Sequence, residues 1–340
     1  MRRFREGDEK LILQLRHVIR GDTHSTEYWR WRYLNNPAGR AIMWLAVADG
    51  IAVGHSAMIP TLVKIGDTSV RGGLAVDNWT HPDFRRQGIF FTLHTKILED
   101  AAREGIQLAY TFPNQLSYPG FMKLKYSDLF PVPSMRKVVN WVLAAEARIK
   151  VPLIQTVTNV FSPLGGMQER NHAVPEISVR EVPSFDGRFD EFWTKVSRQY
   201  NVLVVRDSRY LNWRYAFNPR YRYRMYVAER GSEILGYVVL NCTKADIMRG
   251  FVADLLVLPD EEDALRALVG KCIESSRAQR VATLHCWMLE RAHFHNSLLK
   301  MGFRERSSSP TFCGRVLANL PSELVRHPDN WWLCPGDYDS

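Results

Sequence analysis

At 340 residues, with 46% hydrophobic and 11% aromatic content, the chain can fill two packed cores and is not an intrinsically disordered polymer. Its net charge of +9 suits an anionic ligand, a nucleic acid or a basic solvated face. The five cysteines (Cys242, Cys272, Cys286, Cys313, Cys334) contain no C-x-x-C pair, so neither a disulfide framework nor a metal site is expected, and a reducing cytoplasm fits. Met1-Arg2-Arg3-Phe4-Arg5-Glu6 leads into no apolar run, so no signal peptide is expected. No stretch reaches the ~18 apolar residues of a membrane span.

Leu11, Ile12, Leu15 and Val18 recur at helical spacing between Asp8 and Ile19. Tyr28-Trp29-Arg30-Trp31-Arg32-Tyr33 follows and is stopped by Asn35-Asn36-Pro37. Trp44 to Ala48 reads as a strand, Asp49-Gly50 as a hairpin turn and Ile51 to Ile59 as the returning strand, which carries His55. Leu62 to Ile65 and Gly73 to Thr80 are further strands around Gly66-Asp67. Ile89 to Glu104 is a helix, Gln107 to Phe112 a strand, and a short helix runs through Phe121 and Leu124. Met135 to Ile149 has Val138, Trp141, Val142 and Ala145 on one helical face; Pro152, Ser162-Pro163, Gly165-Gly166 and Pro175 then punctuate a connector.

The chain is organised around Thr80-His81-Pro82-Asp83-Phe84-Arg85-Arg86-Gln87-Gly88-Ile89-Phe90, a loop between a strand and a helix N-terminus. Unsatisfied amides of the first turn and the helix dipole favour an anion there. Gly88 removes a Cβ from the approach, and Arg85 and Arg86 add forked donors. This stretch resembles the R-x-x-G-x-G/A pyrophosphate loop of the GNAT superfamily, the acyl-CoA-dependent N-acetyltransferases, with Phe90 where that family has Gly or Ala. The order of elements is also similar to that family. The resemblance implies an acetyl-CoA site made by Trp79, Thr80, Arg85, Arg86, Gln87, Gly88, Ile89, Phe90 and Asn114. It also implies that the strands on either side of the main helix splay to admit the pantetheine arm. The family's usual tyrosine acid is replaced by Phe121, which leaves Tyr118 as the nearby phenol.

The second half repeats the first. Tyr28 to Pro37 and Tyr210 to Pro219 share Y-x-x-W-R-Y-x-x-N-P without a gap, and Val53-Gly54 aligns with Leu235-Gly236. The expected organisation is an α+β fold of two tandem GNAT-like domains, each a mixed, mostly antiparallel sheet flanked by helices. Residues 1–139 form the first domain, 140–176 a linker with one helix, and 177–340 the second. After Pro259 the second copy has Asp260-Glu261-Glu262-Asp263, which caps a helix and repels a pyrophosphate. One cofactor site per chain is therefore expected, with the second domain completing the substrate cleft. The W-R-Y stretch reads as structural.

Acyl transfer to an amine needs a proton acceptor, a stabilised carbonyl oxygen and a leaving thiolate. Asp77, on the strand entering the loop, and His55 and His81 are candidate bases; Tyr118 is the candidate acid. Asp254 occupies the place of Asp77 in the second copy, which argues in part for a structural role. The resulting reading is an N-acetyltransferase acting on a primary amine of a small molecule, an amino sugar among the options. The partner is then the amine, with no nucleic acid and no membrane span. The alternatives are a non-catalytic ligand or nucleic-acid binder on the same scaffold and an aminoacyl transferase. The oligomeric state is not indicated.

Overall fold

The computed structural model describes residues 1–149, 177–242, 249–290, 292, 294–306 and 310–338. The first half runs β1 (Arg2–Arg3), α1 (Glu9–Arg20), α2 (Thr26–Tyr33), β2 (Ile42–Ala48), β3 (Ile51–Ile65), β4 (Thr68–Thr80), α3 (Ile89–Arg103), β5 (Leu108–Thr111), α4 (Tyr118–Lys123), β6 (Ser127–Pro131), β7 (Ser134–Val138) and α5 (Trp141–Ile149). The second runs β8 (Ser178–Val182), α6 (Arg188–Val196), β9 (Val202–Val204), α7 (Ser208–Leu211), β10 (Arg224–Arg230), β11 (Glu233–Asn241), β12 (Arg249–Val257), α8 (Glu262–Ala278), β13 (Thr283–Trp287), α9 (His295–Lys300), β14 (Arg304–Glu305), β15 (Thr311–Val316) and α10 (Ser322–Arg326). The two expected strands either side of Pro60 are one long strand, β3, whose hairpin with β4 turns at Gly66-Asp67.

Local sequence explains the first elements. Ile12 and Leu15 bury one face of α1. Ser25 caps α2 by accepting from the Tyr28 N–H at 3.1 Å. The Met135 to Ile149 stretch differs from its helical reading: only Trp141–Ile149 is helix, and Ser134–Val138 pairs antiparallel with β13. Cross-strand pairing with a buried Met135 outweighs the local 3.6-residue pattern there. Residues 150–176 of the expected linker, 140–176, lie outside the described residues.

The strands form two sheets, and these exchange strands. The first is ordered β1-β2-β3-β4-β5-β15-β6, with β9 beside the far end of β3. The second is ordered β14-β7-β13-β12-β11-β10-β8. Strand β15 thus crosses from the second half into the first sheet, and β7 from the first half into the second. The two W-R-Y stretches meet between the sheets. Trp31 stacks on Trp213 at 4.9 Å. Trp31 Nε1 donates to the Trp213 carbonyl at 2.9 Å, and Trp213 Nε1 returns the bond to the Trp31 carbonyl at 3.2 Å.

This exchange makes the halves interdependent. A fragment of residues 1–149 lacks β9 and β15, and leaves β5 and β6 with bare edges. Expressed alone it should be insoluble or unfolded by circular dichroism, whereas co-expression with residues 177–340 should return a soluble complex. A soluble, cooperatively melting 1–149 fragment would refute the interdependence.

Candidate active site

Strand β4 borders the site. It pairs in parallel with β5 only at Gly72, Gly73 and Leu74, opposite Leu108, Ala109 and Tyr110. Thr111 Oγ1 then donates to the Ala75 carbonyl at 3.0 Å, and beyond that point the strands pair no further. On its other side β4 pairs with β3, but the register slips: His55 faces Trp79 and Ala57 faces Val76. The slip is a β-bulge at Asp77 and Asn78, with Asp77 in the left-handed region at φ 49°. The bulge therefore lies where β4 parts from β5.

Two polar clusters hold the bulge from opposite faces of the sheet. On the α1–α2 face, the Asp77 carboxylate accepts a short bond from the Tyr33 hydroxyl and lies 3.5 Å from Arg32. Burial pushes the Asp77 carboxyl up, but the Arg32 charge and the Tyr33 bond outweigh it and hold the group below the usual carboxylate range. On the α3 face, Ser56 Oγ lies 2.5 Å from Asn78 Oδ1 and 3.0 Å from His94 Nδ1, while the Tyr126 hydroxyl lies 2.9 Å from His94 Nε2. Burial lowers the His94 pKa to about 3, so the ring is neutral. His94, Asn78 and Ser56 escaped the sequence reading because their spacing carries no motif; they position the bulge.

His55 lies beside this frame. The tautomer with a proton on Nδ1 donates to the Asp77 carbonyl at 2.9 Å, and Nε2 is then a buried lone pair with no hydrogen bond among the described residues. Burial lowers its pKa, so the ring is a free base at neutral pH. The repeat makes His55 distinctive. Its counterpart after Gly236 is Tyr237, whose hydroxyl is 3.2 Å from Asp254. Asp77, by contrast, has a twin: Asp254 accepts from Tyr215 at 3.0 Å and from Arg206 at 3.1 Å. His81 accepts from the Asp83 N–H at 3.3 Å and caps the short turn after β4.

The loop after β4 has the form of an anion cradle. Arg85, Arg86, Gln87 and Gly88 are exposed, and neither arginine pairs with a carboxylate among the described residues. Arg86 and Gly88 take positive φ, 62° and 76°, which turns the chain into α3. A Cβ on Gly88 would meet nothing within 4 Å, so the approach to the first-turn amides is open. The Ile89 side chain is buried against Gly54, and the buried Trp79 ring lies tilted to His55 at 5.4 Å. Thr80 ends the strand opposite Gly54. Asn114 Oδ1 accepts from the Leu116 and Ser117 amides at 3.0 Å, and its exposed carboxamide nitrogen makes no bond among the described residues. These residues fit a pyrophosphate and a pantetheine arm.

Two family departures are resolved by packing. Phe90 turns away from the cradle, onto Phe121 at 5.4 Å and His94 at 5.8 Å. It is accommodated by Gly120, where a Cβ would sit 2.3 Å from the Phe90 ring. Tyr118 donates its hydroxyl to Asp128 at 2.6 Å, and this bond raises its pKa. Asp128 lies on β6, and β15 stands between β6 and β5. The phenol is therefore drawn away from the gap in this conformation.

The second copy lacks the cradle and covers its gap. Strand β12 parts from β13 after Phe251. Beyond that point the C-terminal segment lies on β12: Trp332 Nε1 donates to the Leu255 carbonyl at 2.8 Å, and Cys334 Sγ lies 3.5 Å from the same oxygen. The acids after Pro259 make ion pairs, Glu261 with Arg230 and Glu262 with Arg266, each at 2.7 Å. None supplies the side-chain cap expected at the start of α8.

The comparisons follow this geometry. Residues 1–126 match the family described as acetyltransferase (GNAT) domain. Among solved structures, a probable N-acyltransferase from Enterococcus faecalis V583, itself described as of unknown function, aligns over 93% of this chain and 72% of its own, with TM-score 0.64 and 14% identity. A GCN5-related N-acetyltransferase from Kribbella flavida gives 0.61 and 15% over 92% and 69%. One from Anabaena variabilis ATCC 29413 gives 0.66 and 12% over 93% and 71%. At these identities the likeness shows the fold. No curated protein matches the chain in sequence.

Two outcomes test the packing. Gly120→Ala should destabilise the protein by about 1–3 kcal/mol through overpacking against Phe90. In a Phe90→Ala background the same change should cost little; additive effects in urea melts would contradict the pairing. His94 has a folded pKa of about 3 against about 6.5 unfolded. Its contribution is complete above pH 6.5 and is lost as pH falls toward 3, because only the unfolded chain binds the proton in that window. Stability measured from pH 7.5 to 5 should therefore drop, and His94→Gln should flatten the slope by up to ~1.4 kcal/mol per pH unit. An unchanged slope would contradict a neutral buried His94.

Proposed function

We propose that this GNAT-fold protein, whose first 126 residues match the acetyltransferase (GNAT) domain, transfers an acetyl or related acyl group from acyl-CoA to a primary amine of a small molecule. The observation that carries this reading is the conjunction of an open arginine loop at the α3 N-terminus with a bulged strand that parts from its neighbour. Arg85 and Arg86, with the first-turn amides of α3, hold the pyrophosphate. Main-chain groups of Trp79 and Thr80 and the Asn114 carboxamide orient the arm. When bound, acyl-CoA supplies a thioester whose acyl group passes to the amine as the thiol departs.

His55 is the proposed base. The Asp77 carbonyl fixes the Nδ1–H tautomer, which leaves the Nε2 lone pair to accept the amine proton. Asp77 is a poorer choice, since Arg32 and Tyr33 stabilise its charge and the cofactor-free copy keeps the same arrangement. Tyr118 serves as acid only if its phenol leaves Asp128. The second half contributes a wall of the acceptor pocket.

The experiment is calorimetry with acetyl-CoA followed by a turnover screen on a broad amine panel. One site per chain is expected, weakened at least tenfold in Arg85→Ala/Arg86→Ala. His55→Gln should lower turnover by about 10²-fold or more with acetyl-CoA affinity kept. Because the His55 pKa is lowered, wild-type kcat/KM should persist below pH 6.5. Two equal sites, or acetyl-CoA affinity unmoved in the arginine variant, would overturn the cradle. Full turnover in His55→Gln would remove the base.

A further inference from the structure

A cavity of about 300 Å³ opens on the α1–α2 face of the first sheet, and Asp77 of the β4 bulge is one of its walls. Helix α1 supplies Arg16 and Arg20, and α2 supplies Tyr28 and Arg32. Arg220 and Tyr221 come from the second half of the chain. Four guanidinium groups face two carboxylates, Asp22 and Asp77. Both carboxylates are engaged: Asp22 with Arg16 at 2.9 Å and Asp77 with Arg32 at 3.5 Å. Arg20 and Arg220 have no carboxylate partner among the described residues, and the buried Arg16 Nε makes no hydrogen bond among them.

Arg220 is held ready. Its guanidinium lies over the Tyr28 ring at 5.4 Å and the Tyr221 ring at 5.1 Å, and it donates to His24. His24 is buried, and that burial, with the Arg16 and Arg220 charges, lowers its pKa to about 4. The imidazole is therefore a neutral acceptor that orients Arg220 and adds no charge. Stacked and bonded, Arg220 loses little further freedom on meeting an anion. Nothing else in the cavity balances the excess positive charge.

We propose that the acceptor amine carries an anionic group, a phosphate or a carboxylate, and that Arg20 and Arg220 bind it in this cavity with the amine toward Asp77 and the β4–β5 gap. This rests on the acyltransferase reading and narrows its substrate class. Because Arg220 lies beyond the linker, both halves of the chain build the acceptor site. A forked guanidinium matches either oxyanion, and discrimination between them is read from the substrates.

The test uses the full chain and matched amines: glucosamine 6-phosphate against glucosamine, and β-alanine against β-alaninamide. The anionic member of at least one pair should be acetylated with at least tenfold higher kcat/KM, and which pair responds identifies phosphate or carboxylate. Arg20→Gln and Arg220→Gln should each raise its KM about tenfold or more while acetyl-CoA affinity is kept, and Arg220→Lys should recover part of the loss. Inorganic phosphate should compete with the amine and not with acetyl-CoA. If acetyl-CoA binds and the neutral amines are equal or better acceptors, the proposal is overturned and the transferase reading stands. If no amine is acetylated, the transferase reading falls. The anion site is then decided by calorimetry with inorganic phosphate: binding lost in the double arginine variant retains it, and no wild-type binding, or equal binding in the variant, removes it.

Discussion

The buried carboxylate of Asp77 is the constraint on which the rest of the first half depends. A charge in that position survives only with partners, since desolvation of an ion costs several kcal/mol. Tyr33 and Arg32, adjacent residues of one helix, supply them. The consequence is geometric. Helix α2 is tied to β4 at the residue that bulges, and the bulge marks where β4 leaves β5. The W-R-Y stretch therefore does two jobs at once: its tryptophan pairs with its twin across the sheets, and its Arg and Tyr set the mouth of the gap. The Tyr–Asp bond recurs between Tyr215 and Asp254, whereas the arginine on Asp254 is Arg206 and the motif's own Arg214 donates to the Gly336 and Tyr338 carbonyls.

The two copies share that frame and diverge around it. In the first, the loop after the bulged strand presents two arginines and a glycine to solvent; in the second, ion-paired acids stand there. In the first, the position beside the Asp is His55 with an unused nitrogen; in the second it is Tyr237, whose hydroxyl joins the Asp254 cluster. The edge that β12 exposes beyond Phe251 meets Trp332 and Cys334. A sheet edge with open amides and carbonyls must be satisfied by something. The second copy satisfies it with its own chain, and in the first β4 pairs with β5 no further than the Thr111–Ala75 bond.

Much of this was legible because it is local. The Asp49-Gly50 hairpin, the α1 stripe, the strand–loop–helix from Gly73 to Glu104 and the Y-x-x-W-R-Y repeat each lie within one window of sequence. What escaped is non-local. Nothing in Met135 to Val138 reports that β13 lies beside it, so its helical spacing misled. Nothing near residue 311 announces a strand of the first sheet. His94 reaches the bulge only once α3 packs, and Arg220 reaches Tyr28 only once the halves dock. Phe90 illustrates the same limit from the other side. Its departure from the family pattern is explained by Gly120, thirty positions away in sequence and absent from any motif.

The net charge of +9 gains a location from this architecture. Many cations are matched at once, such as Arg180 and Arg188 on Glu229, or Arg224 on Glu181. Arg85 and Arg86 in the loop after β4 and Arg20 and Arg220 in the cavity beside Asp77 have no carboxylate partner among the described residues. An arrangement of this kind gives the positive charge two exposed concentrations, while His55 stays buried beside Asp77. Burial is the main cause that keeps the His55 imidazole neutral, and the Arg32 charge adds to it against the opposing pull of Asp77. The arginine that stabilises the Asp77 carboxylate thus also disfavours protonation of the imidazole that is bonded to the Asp77 carbonyl.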